Sequence, residues 1–403
     1  MTHVVDCGTR CASSSKRDGI DARHRRHIGQ TWHVPDRDVQ PDIDLMLCDL
    51  ATLVNIESPS RDLGALATSA IALASMIERH LGGNATIVES AAGPHVHWSG
   101  GGVPKVLVLG HHDTVFPLGS LAVRPFGVAD GRAMGPGVFD MKAGIVQAIY
   151  GVAQLTDREG VEMLFSADEE TGSHESRDLI VERAVACGAV LVLEPSADGG
   201  ALKTARKGTG TFELLIHGRA AHAGLEPENG VNALIEAAHQ VLTISTFGDT
   251  ATGTTVTPTM ATVGTADNVV PALAQLTIDV RVEAAGEKER IESAMSALQP
   301  MLAGITLEVR GGINRPAMPA SASASLFPIA LQVARDLGLP DVVGVAVGGG
   351  SDGNFTAATG VPTLDGLGAV GGGAHADHEY VDVDTMVDRA RLLGGIVAAL
   401  QSR

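Results

Sequence analysis

Three short apolar runs, at residues 105–109 (KVLVL), 161–167 (VEMLFSA) and 189–193 (AVLVL), each end at a cluster of His, Asp or Glu. Runs this apolar suit strands covered on both faces, and the helical stretches between them predict a largely parallel α/β sheet. In such sheets the loops at the carboxyl ends of the strands converge over a crevice. Three polar clusters at three strand ends therefore point to one site.

That pattern runs from residue 41 to about 207, beginning with an amphipathic helix carrying Ile43, Leu47, Leu50 and Val54 at helical spacing. Between 208 and 315 the texture changes to alternating strands at 211–217, 255–264 and 276–283, with a helix near 231–245. This predicts a compact α+β insert. Alternation of helix and strand resumes over 316–403, with a helix at 326–337, so the C-terminal segment completes the first domain. Residues 1–40 read as a weakly ordered extension. Cys7 and Cys11 fall there beside several His, without the paired spacing of a structural zinc site.

Composition narrows the function. At 403 residues, 44% hydrophobic and 19% charged, the chain can bury a sizeable core and reads as two or three domains. With 29 basic against 47 acidic residues the formal charge is −18, which disfavours binding nucleic acid through its phosphates. Twelve aromatics (eight Phe, two Tyr, two Trp) leave little for base stacking or a membrane belt. Four irregularly spaced Cys are not a disulfide framework, and the first 30 residues lack the apolar stretch of a signal peptide. A cytoplasmic location is expected.

The chemistry-bearing segments, in order, are GHHDTV at 110–115, GPGVFDMKAG at 135–144, SADEETGS at 166–173, LEP at 193–195, GRAAHAG at 218–224 and GGGAHADHEYV at 371–381. Their imidazoles and carboxylates suit zinc or a similar divalent ion. Asp113, two residues after His111, can hold the imidazole's other nitrogen. Asp140 opens an expected helix at 141–150, where it could equally be an N-cap. Glu169 and Glu170 leave a strand end together, and like charges so close repel unless a cation or proton intervenes. One can ligate metal while the other takes a proton from water, although an acidic first turn of a helix is the plainer alternative. Glu194 lies between apolar residues and Pro195. His375 sits in a glycine-rich loop. Gly348, Gly350 and Gly353 satisfy GxGxxG, but they fall too late in the chain for a dinucleotide fold, and a loop of backbone amides holding a substrate carboxylate fits better.

Together these segments, with NVVPALAQLTIDVR at 268–281, closely resemble the co-catalytic dizinc hydrolase superfamily of glutamate carboxypeptidases, aminoacylases and succinyl-diaminopimelate desuccinylases. The resemblance spans about residues 42–400, and its nearest branch is the bacterial glutamate carboxypeptidase type. It implies that His111 and Glu194 bind one zinc, Glu170 and His375 the other, and Asp140 both, with cobalt or manganese as alternative metals. Asp113 would be the partner of His111, and Glu169 the general base for a hydroxide bridging the ions. The resemblance further implies a homodimer formed through the inserted domain, in which His222 reaches the neighbouring active site and polarises the scissile carbonyl. Asn268, Arg281 and Arg315 would surround the substrate's carboxylate, facing Gly349, Gly350 and Ser351. A structural salt bridge is the alternative for Arg281, and Arg315 is offset from the family pattern. His112 leaves open which imidazole of GHHDTV ligates, with the spacing to Asp113 favouring His111. Ala374 stands where close relatives often carry an aromatic, which would widen the pocket.

The implied activity is cleavage of an amide bond next to a free carboxylate, in a peptide or N-acyl amino acid. The alternatives are a narrow metabolite deacylase of desuccinylase or carbamoyl-amide type and a metal-binding homologue without catalysis. Neither nucleic acid nor membrane is an expected partner.

Overall fold

The computed structural model describes residues 40–403. Cys7, Cys11 and all but the last residue of the 1–40 extension lie outside the described residues. The chain divides into two compact units. One comprises residues up to Thr204, Ser323–Val345 and Val361–Arg403, and the other Ala205–Ala322 and Ala346–Gly360. The glycine-rich segment around Gly350 thus groups with the second unit, although a stretch of the first unit, Ser323–Val345, separates it in sequence from the rest of the second.

The first unit is a mixed α/β fold. Its main sheet runs in the order Ala85–Val88, His95–Ser99, Val161–Ser166, Val106–His111, Val190–Val192, Thr363–Leu364. The last four strands are mutually parallel, and the first two are antiparallel additions at one edge. Every residue of the 106–111 and 161–166 strands is buried, which explains why they read as unbroken apolar runs rather than as alternations. The helix Ile43–Val54 starts behind Asp42, whose carboxylate accepts from Asp44 N at 2.9 Å. The following helix, Leu63–Leu81, is rich in Ala and Ser and buries Leu66, Leu73 and Ile77.

Helices Ala143–Ala153 and Met386–Gln401 meet almost backbone to backbone. A Cβ on Gly151 would lie 2.4 Å from Ala390 O, and one on Gly394 2.5 Å from Gly151 O. Only glycine permits this approach. Gly151→Ala is expected to force the helices apart and cost about 1–3 kcal/mol, read as a lowered denaturant midpoint. An unchanged midpoint would show that the crossing is loose.

A small sheet carries the site's C-terminal loop. Strands Gly371–Gly372, Tyr380–Asp382, Arg132–Met134 and Gly127–Ala129 pair in that order, with Tyr380 opposite Met134. The hairpin carrying His375 is thereby laid beside the turn that follows Met134.

The second unit is a four-stranded antiparallel sheet, ordered Thr255–Val263, Leu273–Val282, Gly208–His217, Thr306–Arg315, packed with helices Ala233–Ile244 and Glu287–Ser296. Strand 208–217 alternates buried and less buried positions, and Phe212, Leu214 and Ile216 join Ile278, Ile291 and Met295 in one core. Strand 306–315 and helix 287–296 escape the sequence reading because both are largely polar; mean burial in TLEVRGGINR is low and Gly311 has φ 83°.

Candidate metal centre

The site forms in the first unit, at the carboxyl ends of its parallel strands. His111 is the last residue of its strand and is 1% exposed. Its Nδ1 lies 3.0 Å from the Asp113 carbonyl and 3.3 Å from the Asp113 carboxylate, so Nε2 faces the site. There Nε2 is 3.3 Å from Asp140 Oδ1 and 3.8 Å from Glu194 Oε1. The buried Asp113 also accepts from Ser60 Oγ (2.7 Å) and from the amides of Glu169 and Glu170 (both 3.2 Å). One carboxylate therefore ties the end of the 106–111 strand to the Glu-Glu turn. His112 points elsewhere: its ring nitrogens meet Ser69 Oγ at 3.1 Å and the Pro94 carbonyl at 2.9 Å. Burial pushes its pKa down to about 4.

Asp140 is not an N-cap. It lies within a turn at Val138–Lys142 with φ −113° and ψ 94°, and helix Ala143–Ala153 begins only after Lys142. The Asp140–Met141 peptide is cis. The sequence reading missed the group that holds this turn. Glu379, 2% exposed, accepts from the amides of Gly137, Phe139 and Asp140, each at 2.8 Å. Burial pushes its carboxyl up to about 7 against the pull of those three amides. The HEYV string marked a functional loop, but nothing local tells that its Glu closes on a turn about 240 positions earlier.

Glu170 lies on the short helical turn Glu169–Thr171, and Glu194 lies two residues beyond the end of the strand Val190–Val192. His375, with φ 63°, places Nε2 3.2 Å from Glu170 Oε2 and 3.4 Å from Asp140 Oδ2. Two groups result: His111, Asp140 and Glu194, and Asp140, Glu170 and His375, their ligand atoms within 4.8 Å of one another. Asp140 belongs to both and Glu169 to neither. Hydrogen bonds to Asp140 and then Glu170 push the His375 imidazole up to about 10. The His111 imidazole is also held well above its ordinary value, its burial being outweighed by Asp113 and Asp140. Burial raises the Glu170 carboxyl, whose Oε1 is buried with no hydrogen-bond partner. This is a carboxylate-rich cluster that favours positive charge, and its N and O donors suit a small divalent cation.

The remaining sequence-nominated residues belong to the second unit. His222 Nδ1 accepts from the amides of Gly224 (3.1 Å) and Leu225 (3.2 Å), which leaves Nε2 to carry the proton. Asn268 is adjacent, its carbonyl accepting from Ala223 N at 2.9 Å. Arg281 forms a two-point pair with Asp279, at 3.0 and 2.8 Å, the ion pair set against its substrate role above. Arg315 instead joins the glycine-rich loop, 3.2 Å from Asp352, and a Cβ on Gly350 would lie 3.1 Å from Arg315 Cδ. Arg206, not singled out from sequence, donates to the carbonyls of Gly349 (3.1 Å) and Gly350 (3.2 Å). Ser351 is fully buried, and its hydroxyl accepts from Gly353 N at 3.1 Å.

A parallel-sheet α/β unit whose strand ends gather two ligand groups around a shared aspartate is the framework of a metal-dependent hydrolase. The chain belongs to peptidase family M20/M25/M40, whose family model matches residues 107–399. Carboxypeptidase G2 from Pseudomonas sp. (strain RS-16) is 33% identical over 369 residues, covering 87% of this chain and 88% of that protein. A succinyl-diaminopimelate desuccinylase from Wolinella succinogenes is 27% identical over 290 residues, 68% of this chain and 78% of that protein. In fold, the chain is similar to the M20 family metallo-carboxypeptidase Sso-CP2 from Sulfolobus solfataricus, with a TM-score of 0.73 at 17% identity, covering 89% of this chain and 99% of that one. Among the described residues no helix is long and apolar enough to cross a membrane.

Proposed function

We propose that the protein is a two-zinc amidohydrolase that cleaves an amide bond next to a free carboxylate, with a carboxypeptidase or N-acyl-amino-acid substrate. The observation that carries this is the pair of ligand groups sharing Asp140, with Glu169 beside them and in neither. The relationship to carboxypeptidase G2 supports the substrate class.

His111, Asp140 and Glu194 would hold one ion, and Asp140, Glu170 and His375 the other. When bound, the ions supply an acidified water and a polarised amide carbonyl. Asp113 fixes the His111 ring so that Nε2 faces Asp140 and Glu194, where it would be available to the ion. The Glu169 carboxylate accepts the proton of the attacking water and hands it to the departing amine nitrogen, so that the C–N bond breaks with no net change in protonation. The partner subunit's His222 donates from Nε2 to the carbonyl oxygen as negative charge develops there. This role needs a homodimer, consistent with the exposed Leu242 and Met260 of the second unit, and light scattering giving only monomers would remove it. Arg315, with the Gly349–Ser351 backbone, and Asn268 would receive the substrate carboxylate; Arg281 serves there only if it leaves Asp279.

The test is hydrolysis of N-acyl amino acids and dipeptides with C-terminal Glu, Asp, Phe, Leu and Ala by zinc-loaded protein against a chelated control. Metal-dependent release of the C-terminal amino acid is expected, abolished by chelator. The desuccinylase relative favours one second reading, a narrow N-succinyl deacylase. Turnover confined to N-succinyl substrates would select it, and release unaffected by chelator would overturn both.

A further inference from the structure

The two turns that carry Asp140 and His375 are joined by one carboxylate. Glu379 follows His375 by four residues in a tight loop, in which Ala376 N donates to Gly373 O at 2.9 Å and Glu379 N to Ala376 O at 3.2 Å. Gly373, with φ 77°, is packed so closely that a Cβ there would lie 3.1 Å from Glu379 Cα. From this position Glu379 Oε2 accepts from Gly137, and Oε1 from both Phe139 and Asp140. On the far side of the same turn the buried Lys142 is anchored by Nζ to the Ile56 carbonyl at 2.9 Å. Three amides that helix Ala143–Ala153 cannot satisfy are thus satisfied by a side chain from the other end of the unit's sequence.

We infer that Glu379 is a positioning residue that sets the separation of Asp140 and His375, and through it the affinity of the ion held by Asp140, Glu170 and His375. The inference rests on the two-ion reading above. It is selective: both turns that Glu379 joins feed this ligand group, whereas the group of His111, Asp140 and Glu194 takes only Asp140 from them. Groups that orient metal ligands typically change affinity by about 10–100-fold when removed. In Glu379→Gln the single oxygen can serve Phe139 and Asp140, but the amide then turns its own N–H toward that of Gly137. Side-chain volume is retained, so this variant guards against a failure of Glu379→Ala to fold.

The experiment is competition for zinc between a chromophoric chelator and wild type, Glu379→Gln and Glu379→Ala. Apo-protein melting temperature and the zinc dependence of turnover are measured in parallel. Wild type should bind two ions. Glu379→Gln should bind the first with wild-type affinity and the second about 10–100-fold more weakly, with turnover recovered by raising free zinc. Recovery by metal, together with an apo melting temperature near that of wild type, separates positioning from general loss of structure. Two ions bound by both variants with wild-type affinity would overturn the inference, as would equal weakening of both ions. Wild type that binds no zinc would instead overturn the two-ion reading itself.

Discussion

Glu169→Gln is expected to keep both metals and lose turnover by about 10²–10⁴-fold, the usual worth of a positioned proton acceptor. The expectation follows from the division of labour in the Glu-Glu turn. Glu170 lies 3.2 Å from His375 and belongs to a ligand group, whereas Glu169 belongs to neither, although its charge reaches His111. Glutamine preserves shape and the 3.2 Å bond from the backbone amide to Asp113, so the turn itself should not move. Metal content and kcat on the same preparation decide the matter. A variant that is metal-replete and works at wild-type rate would sink the assignment of Glu169 as base, and one that loses metal would make Glu169 a ligand.

Asp140→Ala should have the larger effect, because among the described residues Asp140 alone belongs to both groups. Removing either His111 or His375 leaves one group complete; removing Asp140 leaves each with two members. Zinc retained after dialysis should fall below one ion per chain, with turnover at background. The melting temperature should lose its zinc dependence, since stabilisation by a ligand follows its affinity for the folded state. Glu194→Gln is the control and should lose one ion while the Asp140, Glu170 and His375 group keeps the other. Asp140→Ala with two tightly held ions would show that the groups do not share this residue.

The clusters were legible in sequence because each is local: a strand's apolar run stops where its last residues meet the crevice, so His111, Glu170 and Glu194 fall next to runs that periodicity already marks. The strands and helix of the insert were legible for the same reason, while helix 287–296 and strand 306–315 were not, being too polar to stand out. Asp140 was found as a residue but its setting was misjudged. Its helix starts three residues later, and the turn holding it depends on Glu379 rather than on helix capping. His112 beside His111 left an ambiguity that only the Ser69 and Pro94 contacts remove.

Residue order alone thus determined the layered α/β class and the kinds of donor group at the strand ends, because strand periodicity and the chemistry of the groups at strand ends need only near neighbours in the chain. The tertiary structure brings those donors together into two groups with Asp140 in common. Asp140 and His375 are 235 positions apart in the sequence, and they meet because the Tyr380–Asp382 strand pairs with Arg132–Met134 and Glu379 closes on the turn beyond. Such pairings depend on sheet register and on backbone amides left unsatisfied in a turn, and neither is written in the periodicity of any one segment.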